Sequence, residues 1–247
     1  MLGRSGNPTL NDKTFDRTGH GSYSGTDRMT INGTVNKTFI TLAVLLGAAF
    51  ATWNLYFKGN DVMPYVIGGA IGGLICALII SFVPRTAPFL VPVYAALEGA
   101  FLGALSANYE SAYGGITMQA ALITMCVFFA LLVAYKTRII RATENFKLGV
   151  FAATAGIALV YLASMVLNMF GVTVPYLHDS SLIGIGISLV IVVVAALNLV
   201  LDFDFIEQGA DRGAPKYMEW YGAFGLIVTL VWLYIEILRL LSKLRSR

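Results

Sequence analysis

Residues 182–201, LIGIGISLVIVVVAALNLVL, carry no charge and are followed at once by Asp202. The stretch matches the roughly 20 apolar residues that cross a bilayer as an α-helix. A transmembrane β-strand needs only about 10 residues and alternates apolar with polar side chains; this block does not alternate. In lipid a helix satisfies its own backbone hydrogen bonds. The block is therefore predicted to span a membrane as a helix. Asn198 and Asp202, four apart, share one face of it.

Blocks of the same kind recur in both directions, at about 38–57, 64–83, 88–107, 117–135, 148–171 and 217–241. Short polar breaks separate them, among them Lys58-Gly59-Asn60-Asp61, Pro84-Arg85 and the basic cluster Lys136, Arg138 and Arg141. The sequence predicts an all-α integral membrane protein, with seven transmembrane helices over 37–247 and the lipid bilayer as their solvent. Composition agrees: 57% of the 247 residues are hydrophobic and 13% charged, against roughly 25% charged in soluble domains. That apolar excess exceeds what one water-facing globule can bury.

Residues 1–36 are rich in Gly, Ser, Thr, Asn and Asp and read as a disordered polar tail. With no apolar h-region in the tail, no cleavable signal peptide is expected. Asn32 and Asn36 each open an Asn-x-Thr triplet, read as chance matches. The net charge of +3 comes without a basic, aromatic-interleaved stripe, so nucleic acid is not an expected partner. Cys76 and Cys126 both lie inside apolar blocks and are expected to pack rather than to form a disulfide.

Glycines supply packing expectations. Gly68 and Gly72, Gly69 and Gly73, and Gly99 and Gly103 each repeat the small-xxx-small spacing that lets helix backbones approach. Lys and Arg supply the orientation. With seven spans, twelve basic residues share the side of the N-terminal tail and five lie opposite. This favours a cytoplasmic N-terminus and an exterior C-terminus; the basic C-terminus pulls the other way, as a re-entrant segment would require.

Chemistry in a membrane falls to intramembrane ionisable groups, since a charge at mid-bilayer costs roughly 2.5–3.5 kcal/mol on insertion scales. Glu98, in the middle of the third block, has no cation nearby in sequence; it is expected to carry a proton or to face a polar interior. Asn198 and Asp202 would line one end of a conduit, or Asp202 would mark a stop. Asp204 and the acids after it read as a stop where the helix meets water. Glu236 and Arg239, three apart, would pair on a helix surface. In a straight last helix, Glu236 lies about 30 Å from Lys216, which separates it from Asp202.

Other chemistries lack their residues. There is no His-Glu-x-x-His, and the histidines, His20 and His178, lie in the tail and a loop, so no zinc or other metal site is expected. No Gly-x-Ser-x-Gly elbow or Walker-type phosphate loop occurs, and no catalytic residue or resident cofactor is assigned. Lys216 and Lys243 only bracket the last block, so a retinal Schiff base has no lysine inside it.

The order of four short motifs resembles the Bax inhibitor superfamily, in its bacterial YccA-like branch. They are Glu98-Gly99-Ala100-Phe101-Leu102-Gly103, Ile116-Thr117-Met118, Asp202-x-x-x-Ile206 and Leu238-Arg239-Leu240-Leu241. The resemblance covers about 38–242. It implies a seven-helix bundle with a central last helix, in the inner membrane of a bacterium. It implies a pH-sensitive cation leak, with calcium as the permeating ion, gated by a carboxylate pair between the sixth and seventh helices. Two close carboxylates share a proton and titrate as a unit. Asp202 matches the first of the pair; Thr229 stands where the second is expected, and Glu236 is the substitute further along. The resemblance also implies a membrane-bound ATP-dependent protease that engages residues 1–36. The chain would then be that protease's regulator or substrate rather than a channel, and deleting the tail separates the two readings.

Overall fold

The computed structural model describes residues 27–171 and 179–246; the expected disordered tail lies outside them as far as residue 26, as do both histidines. Seven α-helices follow in order: α1 Ile31–Phe57, α2 Met63–Phe82, α3 Ala87–Ala112, α4 Ile116–Lys136, α5 Glu144–Met169, α6 Leu182–Asp211 and α7 Met218–Arg245. A 3-10 turn, Pro84–Thr86, precedes α3. No strand occurs among the described residues beyond one isolated bridge, Arg28 with Pro215. All seven helices are long and apolar enough to cross a membrane. Large side chains such as Phe39, Phe50, Phe89, Leu159 and Val190 are exposed, as lipid-facing surface requires.

Local chemistry sets several boundaries. Thr30 caps α1, its Oγ1 accepting from Gly33 N at 2.9 Å, and Thr143 caps α5 in the same way through Phe146 N. Such caps satisfy amides that a helix start leaves without partners. Prolines stand in the first turns of α2 and α3, where a missing N–H costs nothing. Glu110 of α3 accepts from Thr117 N at 3.0 Å, fixing the turn in which Gly115 takes φ +80°.

Two boundaries differ from expectation. The last ten residues assigned to the tail are ordered, with Met29 buried and α1 starting at Ile31 rather than 38. The sixth helix does not stop at Asp202 but runs on to Asp211. In both places a charge that reads as facing water is instead held by another helix, so it does not end the span.

The chain divides into two compact units. Among the described residues the first holds 27–117 with Phe205–Val228, and the second holds Met118–Asp204 with 229–246. The division falls within α6 and α7, each of which is one continuous helix.

The first unit packs by glycine. A Cβ at Gly99 or Gly103 of α3 would collide with the carbonyl oxygen of Leu45 or Ala49 on α1. A Cβ at Gly69 of α2 would lie 2.6 Å from Leu97 O of α3, and one at Gly73 would lie 2.9 Å from Glu98 Oε2. The backbones meet where side chains are missing. Gly72 faces only the Leu97 side chain at 3.1 Å, and Gly68 has open space around it. The packing face of α2 is thus Gly69 and Gly73, not Gly68; one residue back is about 100° around the helix. Tyr94, Phe224, Tyr221 and Phe205 fill the rest, with Tyr94 and Phe224 edge to face at 5.0 Å.

The second unit has an aromatic contact at one end, Phe203 with Phe128 at 5.6 Å and Tyr135 at 5.9 Å, and aliphatic filling from Leu199, Leu201, Leu233 and Leu238. The last helix is the most enclosed of the seven: 61% of its apolar window is buried, against 11% to 44% for the others.

Candidate functional site

The second unit joins polar side chains that are far apart in sequence. At one level Lys147 Nζ of α5 lies 2.7 Å from Asp204 Oδ2 of α6, and Tyr135 Oη of α4 donates to Asp204 Oδ1 at 3.3 Å. Farther along, Asn198 Nδ2 donates to Thr154 Oγ1 at 2.8 Å and to the carbonyl of Val194, also at 2.8 Å. Next, Tyr161 Oη donates to Glu236 Oε1 at 2.9 Å, and Arg239 Nη1 donates to Tyr161 Oη at 2.5 Å and to Glu236 Oε1 at 3.1 Å. The Arg239 guanidinium also stands 5.3 Å from the centre of the Tyr161 ring. Last, Lys243 Nζ donates to Ser188 Oγ at 2.9 Å and to Gly184 O at 3.1 Å.

These contacts fix the register. Lys243, near the end of α7, meets the start of α6, so the two helices run antiparallel. Lys147 with Asp204 and Thr154 with Asn198 align α5 against α6 in the same sense. The four levels then follow one another along α6 from Asp204 to Gly184, about 30 Å at 1.5 Å per residue. That length equals the hydrocarbon thickness of a typical bilayer. The unit therefore carries a ladder of polar side chains as long as a bilayer's hydrocarbon core is thick. Asp202 and Asn198 lie within it at 0% and 2% exposure, and Asn198 Oδ1 is buried with no hydrogen-bond partner among the described residues.

The same register places the other expected site residues. Moving from Lys243 back to Glu236 along α7 advances to about Val193 on α6, so Glu236 and Asp202 are about 14 Å apart along the axes. Asp202 is level instead with residues 227–229, which include the buried Thr229. Thr229, where the family resemblance implies a second carboxylate, carries a hydroxyl. Glu236, offered as its substitute, is held by Tyr161 and Arg239 instead. Asp204, read as a stop where the helix meets water, does not end α6 and pairs with Lys147 in the first turn of α5. Glu98 belongs to the first unit, is half-buried against Gly73, and makes no hydrogen bond or ion pair among the described residues.

Sequence reasoning passed over Tyr161, Tyr135, Thr154 and Ser188, and it treated Lys147 and Lys243 as loop and terminal charges. A mid-span tyrosine is a weak signal, since tyrosine packs well anywhere. Lys243 is buried at 4% exposure, whereas the Arg239 side chain remains 27% exposed. Of the two cysteines, Cys76 is buried, whereas Cys126 is exposed rather than packed, and both are free thiols. No group of three metal-ligating side chains occurs among the described residues.

Seven helices long and apolar enough to cross a membrane define a multi-pass membrane protein. The family model described as Bax inhibitor 1 like matches residues 7–246, and the chain belongs to that family. The match takes in most of the tail, which the motif resemblance had left out. No curated protein and no solved structure matches the chain.

Proposed function

We propose that the protein is a pH-sensitive cation leak of the YccA-like branch, in a bacterial inner membrane with its N-terminus cytoplasmic and calcium as the permeating ion. One observation carries the reading: the ladder of buried and half-buried polar side chains from Asp204 to Ser188 and Lys243, with the buried Asp202 and Asn198 within it. Polar groups in lipid are costly, and those retained face partners or an aqueous path. Asp202 supplies the negative charge that attracts a cation, and Asn198 Oδ1 supplies a neutral oxygen one turn away. Because Thr229 brings no second carboxylate to that level, the pH response falls to Asp202 itself. A cation leak of this kind rises as pH is raised, since only the ionised carboxylate attracts the ion.

The test is flux from proteoliposomes of the purified chain, with calcium, potassium and proton indicators at several pH values, against protein-free vesicles. Calcium entry that increases with pH supports the reading; flux no greater than in empty vesicles removes it. A second reading, regulator or substrate of a membrane-bound ATP-dependent protease, draws on the reach of the family match into the tail from residue 7. Deleting residues 1–26 separates the two: the leak survives the deletion, whereas binding of such a protease is lost.

A further inference from the structure

In the usual capping box, a Ser or Thr at the N-cap bonds the amide of the third helical residue, and a Glu at that third position reaches back to the cap's own amide. In α1 the cap is Thr30 and the third residue is Gly33, which has no side chain. The missing carboxylate comes from another helix. Glu219, in the first turn of α7, accepts from Thr30 N at 3.0 Å and from Thr30 Oγ1 at 2.9 Å. A Cβ on Gly33 would land on that carboxylate. Glu219 is fully buried, and its other oxygen is paired with Lys37 Nζ, which stands 5.7 Å from the centre of the Trp220 ring.

The backbone joins the same two places. Met29 N donates to Ala214 O at 2.7 Å and Lys216 N to Asp27 O at 2.9 Å, so that Arg28 and Pro215 face each other as an antiparallel pair. It is the non-hydrogen-bonded kind of pair, with Cα atoms about 4.5 Å apart, and it asks no N–H of the proline.

We propose that Thr30, Gly33, Lys37 and Glu219, with the Arg28–Pro215 bridge, form a clasp by which the segment before α1 sets the axial position of α7. The clasp is a regulatory device and rests on the ladder reading above. Glu219 sits at the start of the continuous helix that carries Glu236, Arg239 and Lys243. Opening the clasp frees the first turn of α7 and loosens the far rungs; closing it holds them. Whatever binds or draws on the tail acts on the ladder through this joint.

The test uses the full chain in proteoliposomes, in a background with Cys76→Ala and Cys126→Ser. Arg28→Cys with Pro215→Cys locks the clasp when oxidised, since such a pair suits disulfide geometry. Glu219→Gln and Gly33→Ala open it, the second by displacement without removing a charge. Expected are calcium flux lowered at least about fivefold by the lock and restored by reductant, and amide exchange faster by about tenfold in the opened variants over 27–33, 214–222 and 236–245. A complete lock with unchanged flux overturns the proposal. If the parent chain passes no cation, the ladder reading fails separately and exchange alone decides. Acceleration reaching 236–245 supports the clasp, and acceleration confined to 27–37 and 214–222 refutes it.

Discussion

The two units solve the same problem, helix association in lipid, with different emphasis, although the first also holds the Lys37–Glu219 pair. In the first, α1, α2 and α3 meet through glycines, with carbonyl oxygens of Leu45, Ala49 and Leu97 lying where side chains would be. In the second, α5, α6 and α7 are joined by Lys147 with Asp204, Asn198 with Thr154, and Glu236 with Tyr161 and Arg239. Close backbone contact gives a rigid, dry seam. A polar seam holds helices together equally well and leaves groups able to exchange a partner for water, an ion or a proton. That difference is why the proposed ion path is placed in the second unit.

The contrast can be broken from either side, by unfolding the purified protein in detergent and comparing variants. Lys147→Met removes one member of a mostly enclosed ion pair and takes the cation from Asp204, which keeps the Tyr135 hydroxyl. Breaking such a pair costs about 3–5 kcal/mol, and the low end is expected because the Asp204 side chain is 18% exposed. Replacing both partners, as Lys147→Met with Asp204→Leu, recovers most of the loss if the charge, not the shape, is at fault. Gly103→Ala drives a methyl into the Ala49 carbonyl; a backbone atom cannot swing aside, so a loss of about 2 kcal/mol is expected, within the overpacking range. Asn198→Val gives up the bond to Thr154 for about 1 kcal/mol, since interhelical hydrogen bonds in membranes average about 0.6 and reach about 1.7 kcal/mol. Gly68→Ala, in open space, changes stability by no more than about 0.5 kcal/mol. A reversed order of Gly103→Ala and Gly68→Ala would show that the glycine seam is misplaced.

The seven helices were legible because lipid demands continuous apolarity, and a block such as 182–201 can be little else. The motif pair at Glu98 and Asp202 was legible because a charge in an oily run stands out. The rungs were not. Asp204, Lys147, Lys243 and Glu219 lie near the ends of their blocks, where a charge reads as the edge of the membrane. Their burial depends on partners that sequence distance hides, as Lys37 and Glu219 are 182 positions apart. Gly68 and Gly69 show the same limit on a smaller scale. Spacing finds a small-residue stripe, but which of two adjacent stripes meets a neighbour is decided by the rotation of the helix.

Two acids, the half-buried Glu98 in the first unit and the buried Asp202 in the second, give the most direct test of placing the ion path along α5, α6 and α7. Calcium flux should be measured side by side for Asp202→Asn and Glu98→Gln, at equal reconstitution and at a pH where the parent chain leaks. A unit charge about 4 Å from a cation contributes roughly 4 kcal/mol at an effective dielectric constant near 20. Asp202→Asn should therefore lower flux about tenfold or more and flatten its pH dependence, while Glu98→Gln leaves both near the parent values. Loss of flux in Glu98→Gln with Asp202→Asn unaffected would contradict the account and move the path to the glycine-packed unit.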